Sequence, residues 1–234
     1  MKQTSEIPEL EKHSIRIPAD NVILDGDLYL PTKTQALVIF AHGSGSSRRS
    51  PRNQYVAEQL RQAGLGTLLF DLLTADEEVE DERTAALRFD IELLAHRLID
   101  VTDWLINVRA LGYKIGYFGA STGAAAALIA AAELPRYIGA VVSRGGRPDL
   151  AGSALVRVKA PTLLIVGGDD TVVISLNQDA YIALKVEKKM QIIPGASHLF
   201  EEPGALAQVA KLAADWFILH LANKNQSIRK ETAK

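Results

Sequence analysis

The chain has 234 residues, 47% hydrophobic and 23% charged, with 17 Gly, 9 Pro, no Cys and a formal net charge of −2. That length suits one large domain with a sizeable core or at most two small ones, and the near-average composition excludes collagen-like, coiled-coil and wholly disordered chains. Zero cysteine excludes a disulfide framework, a thiolate zinc site, an iron–sulfur cluster and a cysteine nucleophile, and the balanced charge makes no electrostatic case for nucleic acid or an anionic membrane as partner. In chain order, Met1 to Glu6 has no apolar core behind Lys2 that could serve as a signal peptide, which points to the cytoplasm. Ser14 to Pro18 and Val22 to Leu30 are separated by Ala19-Asp20-Asn21, with Asp25-Gly26 as a second turn signal, and predict an antiparallel edge hairpin. After Pro31 the pattern changes to continuous apolar runs: Ala36 to Ala41, Thr67 to Phe70, Ile115 to Phe118, Ile138 to Val142, Thr162 to Val166 and Met190 to Ile193. Runs without polar alternation belong to strands buried on both faces of a parallel sheet.

Helical segments lie between these runs. Pro51 to Ala63 has Pro at its start and Gly64 at its end. Asp76 to Glu82, six acids in seven residues, reads as a solvated loop leading into a helix whose N-terminus favours negative charge. That helix is predicted from Thr84 to Val108, because Leu87, Ile91, Leu94, Leu98, Val101, Leu105 and Val108 recur at spacings of four and three. Thr122 to Leu134 is Ala-rich, and its apolar stretch of nine residues, Ala124 to Ala132, is too short to span a bilayer, which takes about 20. Ala205 to Leu221 carries Leu206, Val209, Leu212, Ala213, Trp216 and Phe217 on a helical period, and the last dozen residues lack periodicity and read as a frayed tail. The alternation predicts a single α/β domain over residues 1–234, its core about 14–221: a mostly parallel, doubly wound sheet with helices on both faces.

Gly119-Ala120-Ser121-Thr122-Gly123 follows a predicted strand and opens a predicted helix, the setting of a G-x-S-x-G nucleophile elbow. A serine on so sharp a turn has a strained backbone and needs small neighbours, and the helix N-terminus behind it favours negative charge. Serine also needs a base and the base an orienting acid, in the order Ser, acid, His for this class of fold. Of the two histidines downstream, His198 lies in a loop just after a strand, at the same sheet end as Ser121, whereas His220 sits near the end of the last helix and reads as a surface or capping residue. The acid candidates are Asp170, which is preferred, and Asp169, with Asp149 more distant; the unused member of the Asp169–Asp170 pair reads as a turn-forming residue. For an oxyanion hole the backbone N–H of Thr122 is one expected donor, and that of Ser44, in the loop His42-Gly43-Ser44-Gly45 after an early strand, the other. His42 is expected to brace that loop.

The set His42-Gly43-Ser44-Gly45, Gly119-Ala120-Ser121-Thr122-Gly123, Gly167-Gly168-Asp169-Asp170-Thr171-Val172-Val173 and Gly195-Ala196-Ser197-His198-Leu199-Phe200 resembles the α/β-hydrolase superfamily, and within it the dienelactone hydrolase-like group, from about Leu37 to Leu221. In that group the acid stands three residues after the first Gly of a G-x-x-D turn followed by Val, which implies Asp170 here. Dienelactone hydrolase proper uses a cysteine nucleophile, whereas this chain has Ser121. Specificity caps in the superfamily commonly follow the strand corresponding to Ile138 to Val142; the next strand begins near Thr162, so no cap domain and a shallow, open site are expected. Arg144 and Arg147 leave that strand and Arg48 follows the oxyanion loop, making them candidates for holding a carboxylate or phosphate of the substrate, against ordinary ion pairing with Asp149 or the acidic run. No H-E-x-x-H, calcium loop or dinucleotide fingerprint occurs, so neither a metal nor an organic cofactor is implied. The expected activity is a carboxylesterase-like serine hydrolase with Ser121, His198 and Asp170 acting on a small-molecule acyl substrate, as a monomer or homodimer. Thioesterase, lactonase and peptidase share that chemistry, and a non-catalytic binding module is the alternative from another class.

Overall fold

The computed structural model describes residues 10–31, 34, 36–107 and 112–221. The expectations for Met1 to Glu6, for Val108 at the end of the long helix and for the tail from Asn223 lie outside these residues. Eight strands are present: β1 (Leu10–Ala19), β2 (Val22–Pro31), β3 (Ala36–Ala41), β4 (Gly66–Phe70), β5 (Lys114–Ala120), β6 (Ile138–Arg144), β7 (Thr162–Gly167) and β8 (Lys188–Ile193). They form one sheet in the order β1-β2-β4-β3-β5-β6-β7-β8. β1 pairs antiparallel with β2, and β2 antiparallel with β4, while every later pairing is parallel. The edge hairpin and the parallel core are therefore as the apolar runs predict.

Asp25-Gly26 is not a turn. Gly26 lies inside β2, opposite Ile15 on one side and Phe70 on the other. A Cβ there would come within 3.1 Å of both Ile17 Cδ1 and Leu68 Cδ1, so the residue that reads as a turn former is required by close strand packing instead.

The helices are α1 (Pro51–Gln62), α2 (Ala75–Thr84), α3 (Ile91–Asn107), α4 (Thr122–Glu133), α5 (Thr171–Ala183) and α6 (Ala205–Leu221), with short 3-10 segments at Leu87–Phe89 and Pro148–Arg157. α3, α4 and the second 3-10 segment cover one face of the sheet, and α1 and α6 cover the other. Successive strand residues divide between these cores: Tyr117 packs in the first and Phe118 in the second. Among the described residues no helix is long and apolar enough to cross a membrane.

The single helix expected from Thr84 to Val108 is broken. α2 starts at a capping box, in which Thr74 Oγ1 accepts from Glu77 N–H while the Glu77 carboxylate accepts from Thr74 N–H. It stops at Ala85, which is left-handed at φ 54°. The Asp81 carboxylate then accepts from the N–H groups of Leu87 (2.7 Å) and Arg88 (2.9 Å), giving them an acceptor that a continuing helix would have supplied. α3 begins afresh, with Asp90 Oδ1 accepting from Leu93 N–H. The acidic run is thus mostly a helix in its own right, and Asp81 within it is buried.

Candidate active site

Ser121 sits between the last residue of β5 and the first of α4, at φ 50° and ψ −122°. A non-glycine residue in that region carries about 1–3 kcal/mol of strain and persists where its surroundings over-determine it. Here they do so through hydrogen bonds and close packing. Ser121 N–H donates to Arg144 O (3.3 Å), and Ser121 O accepts from Ala124 N–H (3.1 Å) and Arg147 N–H (3.0 Å). Gly123 has backbone of the β3 end against it, so that a Cβ would overlap Ala41 O and His42 O. At Gly43 a Cβ would lie 2.9 Å from Ser121 Cβ, which places the loop after β3 directly against the serine.

That loop is braced by His42, which is buried. Its Nδ1 lies 2.9 Å from Gly43 O, and its Nε2 accepts from Leu72 N–H at 3.0 Å. This pairing requires the neutral ring with the proton on Nδ1, in keeping with burial that lowers its pKa despite the opposing bond to Gly43. Ser44 N–H, expected to face the substrate, donates to Thr122 Oγ1 at 3.0 Å.

Among the three acid candidates, Asp170 meets His198. Its Oδ2 lies 2.6 Å from His198 Nδ1. Asp170 is the N-cap residue of α5, yet its side chain makes no capping bond; it turns away from its own helix toward the imidazole. Asp169 is exposed, and its backbone N–H donates to Ala196 O, fastening the β7 turn to the histidine loop. Asp149 is taken by Arg147. His198 is 36% exposed at its side chain against 15% for Asp170, so the ring is held from the buried side and open on the other. Around it, Phe200 adopts φ 57°, and Ser197 hydrogen bonds to Glu202 hold that carboxyl below its usual pKa. Gly145 adjoins the same loop: a Cβ there would lie 3.0 Å from His198 O and 3.6 Å from His198 Cε1, while Arg144 O before it accepts from Ser121 N–H and Arg147 N–H after it donates to Ser121 O. His220, by contrast, is stacked edge-on to Trp216 with ring centroids 4.4 Å apart, at the far end of α6.

The three arginines differ in their partners. Arg48 is bound by Asp71, with Asp25 and Asp27 each 3.8 Å away, and Arg147 is bound by both oxygens of Asp149. Arg144 is buried, donates to Asn53 Oδ1 at 3.3 Å and lies 5.8 Å from the Phe200 ring centroid. Among the described residues no carboxylate pairs with it, and desolvation, then the neighbouring Arg52 charge, push its pKa down to about 10.

A cleft of about 270 Å³ opens beside the His42–Ser47 loop, walled by Glu78, Asp81 and Glu82 of α2 and by Arg88. Burial, reinforced by Glu82, raises the Glu78 carboxyl above its usual range. For Asp81 burial acts upward too, but hydrogen bonds from Arg88 and Leu87 outweigh it and hold the group below the usual range. The β6–β7 connection is a short 3-10 segment with no cap domain, as expected, and the cleft beside the His42–Ser47 loop is walled instead by the β4–α3 connection. Its signal was the sequence Thr74-Ala75-Asp76-Glu77, an S/T-x-x-E capping box at the head of the acidic run.

The model of the dienelactone hydrolase family matches residues 24–219, which include Ser121, Asp170, His198 and the loop after β3. This chain is a member of the dienelactone hydrolase family. Among solved structures, this family member is similar to a dienelactone hydrolase from Anabaena variabilis, with 59% identity, a TM-score of 0.89 and coverage of 91% of this chain and 99% of that one. A Xanthomonas campestris α/β serine hydrolase without lid shares the fold at 20% identity and a TM-score of 0.72, covering 92% of this chain and 97% of that one. The family member is also 57% identical over 221 residues to proteins of two Mycobacterium tuberculosis strains that are provisionally named phosphoribosyl transferases. That match takes in 94% of this chain and 49% of those proteins, so the chain spans about half the length of the curated relatives it matches.

Proposed function

We propose that the protein is a serine hydrolase that cleaves a carboxylic ester, or a closely related acyl bond, through an acyl-enzyme. The observation that carries this reading is the 2.6 Å contact between Asp170 Oδ2 and His198 Nδ1, made by a carboxylate that forgoes capping its own helix. It fixes the imidazole with its Nδ1 proton toward Asp170 and leaves Nε2 free to act as base. Ser121 Oγ attacks the acyl carbon as His198 Nε2 takes its proton. The tetrahedral oxyanion is held at the α4 N-terminus, where Thr122 N–H has no intrahelical acceptor. Collapse expels the alcohol, which receives the proton from His198, and water repeats the sequence on the acyl group.

Arg144 supports a preference for substrates with a negatively charged group, because the charges of Arg48 and Arg147 are already met by carboxylates. The phosphoribosyl transfer in the name of the longer mycobacterial relatives is attributed to the part of those proteins beyond the match. The test is Ser121→Ala, with hydrolysis of p-nitrophenyl esters and labelling by a fluorophosphonate probe as readouts. The expected result is loss of both. Wild-type enzyme that is neither labelled nor active on any ester across a range of acyl chains would leave the fold as a binding module.

A further inference from the structure

Thr122 is the first residue of α4, is buried, and its hydroxyl oxygen accepts the Ser44 N–H at 3.0 Å. A hydroxyl has one proton to give and two lone pairs to receive. One lone pair here is used by Ser44, and among the described residues no acceptor takes the proton. Two neighbouring donors are already engaged: Ser121 N–H goes to Arg144 O and Ala124 N–H to Ser121 O. Thr122 presents two donors three bonds apart at the head of α4, its own N–H and its O–H, beside the N–H of Gly123. Ser44 N–H, meanwhile, points at an oxygen that stands between it and the nucleophile elbow.

We propose that the Thr122 hydroxyl is the second oxyanion donor, polarised by Ser44, which acts through Thr122 as a positioning residue and does not touch the substrate. The inference rests on Ser121 being the nucleophile. An O–H whose oxygen is itself accepting a hydrogen bond is a stronger donor, because the two bonds polarise each other. The arrangement is also preorganised: the loop after β3 is pinned by His42 to Gly43 and Leu72, so the Ser44 N–H holds Thr122 Oγ1 in place before substrate arrives. The proton remains on Oγ1 throughout. Attack at the acyl carbon moves the carbonyl electron pair onto oxygen, and the hydroxyl only shortens its bond to that oxygen.

Thr122→Val keeps the shape and removes the hydroxyl, whereas Thr122→Ser keeps the hydroxyl and removes the methyl. The expected result is a kcat on p-nitrophenyl acetate lower by about 10²-fold in Thr122→Val, with KM within about threefold, and recovery of most of that loss in Thr122→Ser. Inactivation by an alkyl fluorophosphonate should slow in parallel. A Thr122→Val kcat equal to or above wild type would overturn the proposal, since Ser44 N–H would then be serving the oxyanion directly. Equal losses in both variants, tracking their melting temperatures, would also overturn it by reducing Thr122 to a packing residue. Should Thr122→Val not fold, a crystal structure of the phosphonylated wild-type enzyme decides. The phosphoryl oxygen is expected on Thr122 Oγ1 with Ser44 N–H still on that hydroxyl; an oxygen on Ser44 N with the threonine rotated away refutes the relay. Failure of wild-type enzyme to be phosphonylated at all would instead defeat the hydrolase reading.

Discussion

At the scale of single residues, the candidate site is marked by side chains that decline their ordinary local partners. Asp170 leaves its helix uncapped to reach His198, so its replacement by Asn should preserve the fold and free the imidazole to take the wrong tautomer. Asp170→Asn is expected to lower kcat by about 10⁴-fold in an esterase assay, with Asp169→Asn within about threefold of wild type. Arg144 is the second case. A buried guanidinium without a carboxylate carries a desolvation cost, and apolar replacements of such groups are often neutral or stabilising. Arg144→Met should therefore melt at the same temperature or higher. Its kcat/KM should fall about tenfold more on esters bearing a free carboxylate than on neutral esters, and equal losses on both would remove the arginine from substrate recognition. The candidates Ser121, His198 and the acid pair could be picked out in the sequence because each follows a strand and shares one sheet end, and the meeting of Asp170 with His198 agrees with that placement. The relay from Ser44 to Thr122 was not, since two residues 78 apart meet only after β3 and β5 pair.

At the scale of elements, α2 depends on Asp81. Its carboxylate joins the end of α2 to the following 3-10 segment through Leu87, Arg88 and the Arg88 guanidinium. Because its folded pKa lies below the unfolded value of 3.8, the ionised form stabilises the native chain. That contribution is complete above the unfolded value and is lost as pH falls through the folded one. Asp81→Asn should lower the melting temperature at pH 7, and the wild-type and variant curves should converge on acidification. The same segment marks the limit of periodicity as a guide. Leu87, Ile91 and Leu94 keep a helical spacing, yet Leu87–Phe89 forms a separate 3-10 turn ahead of α3, its first two N–H groups taken by the buried Asp81 carboxylate. At the elbow the constraint is steric. Gly123→Ala would drive a methyl into Ala41 O and should cost about 3 kcal/mol or more in urea unfolding, because the obstruction is backbone and cannot rotate away.

At the scale of the whole molecule, the strand order places β3, β5, β6 and β7 side by side, so the loops leaving them converge along one edge of the sheet. This was readable from the apolar runs, because a strand covered on both faces cannot afford the polar alternation of an exposed one. The wall over that edge was harder to foresee. α2 has only Asp81 buried, and its remaining residues face outward or into the cleft, leaving no apolar stripe to announce a packed helix. α4 is the opposite extreme, with every residue from Thr122 to Ala132 buried. The α2 wall of the cleft and the α4 helix behind Ser121 consequently belong to different units of cooperativity. Amides in α4 should exchange with deuterium only when the entire chain opens, whereas those of α2 should exchange through local fluctuations that leave Ser121 in register. On the proposed hydrolase reading, the wall beside the His42–Ser47 loop can move on a fast timescale while Ser121 stays fixed, and thermal inactivation should then follow global melting and not the earlier loosening of that wall.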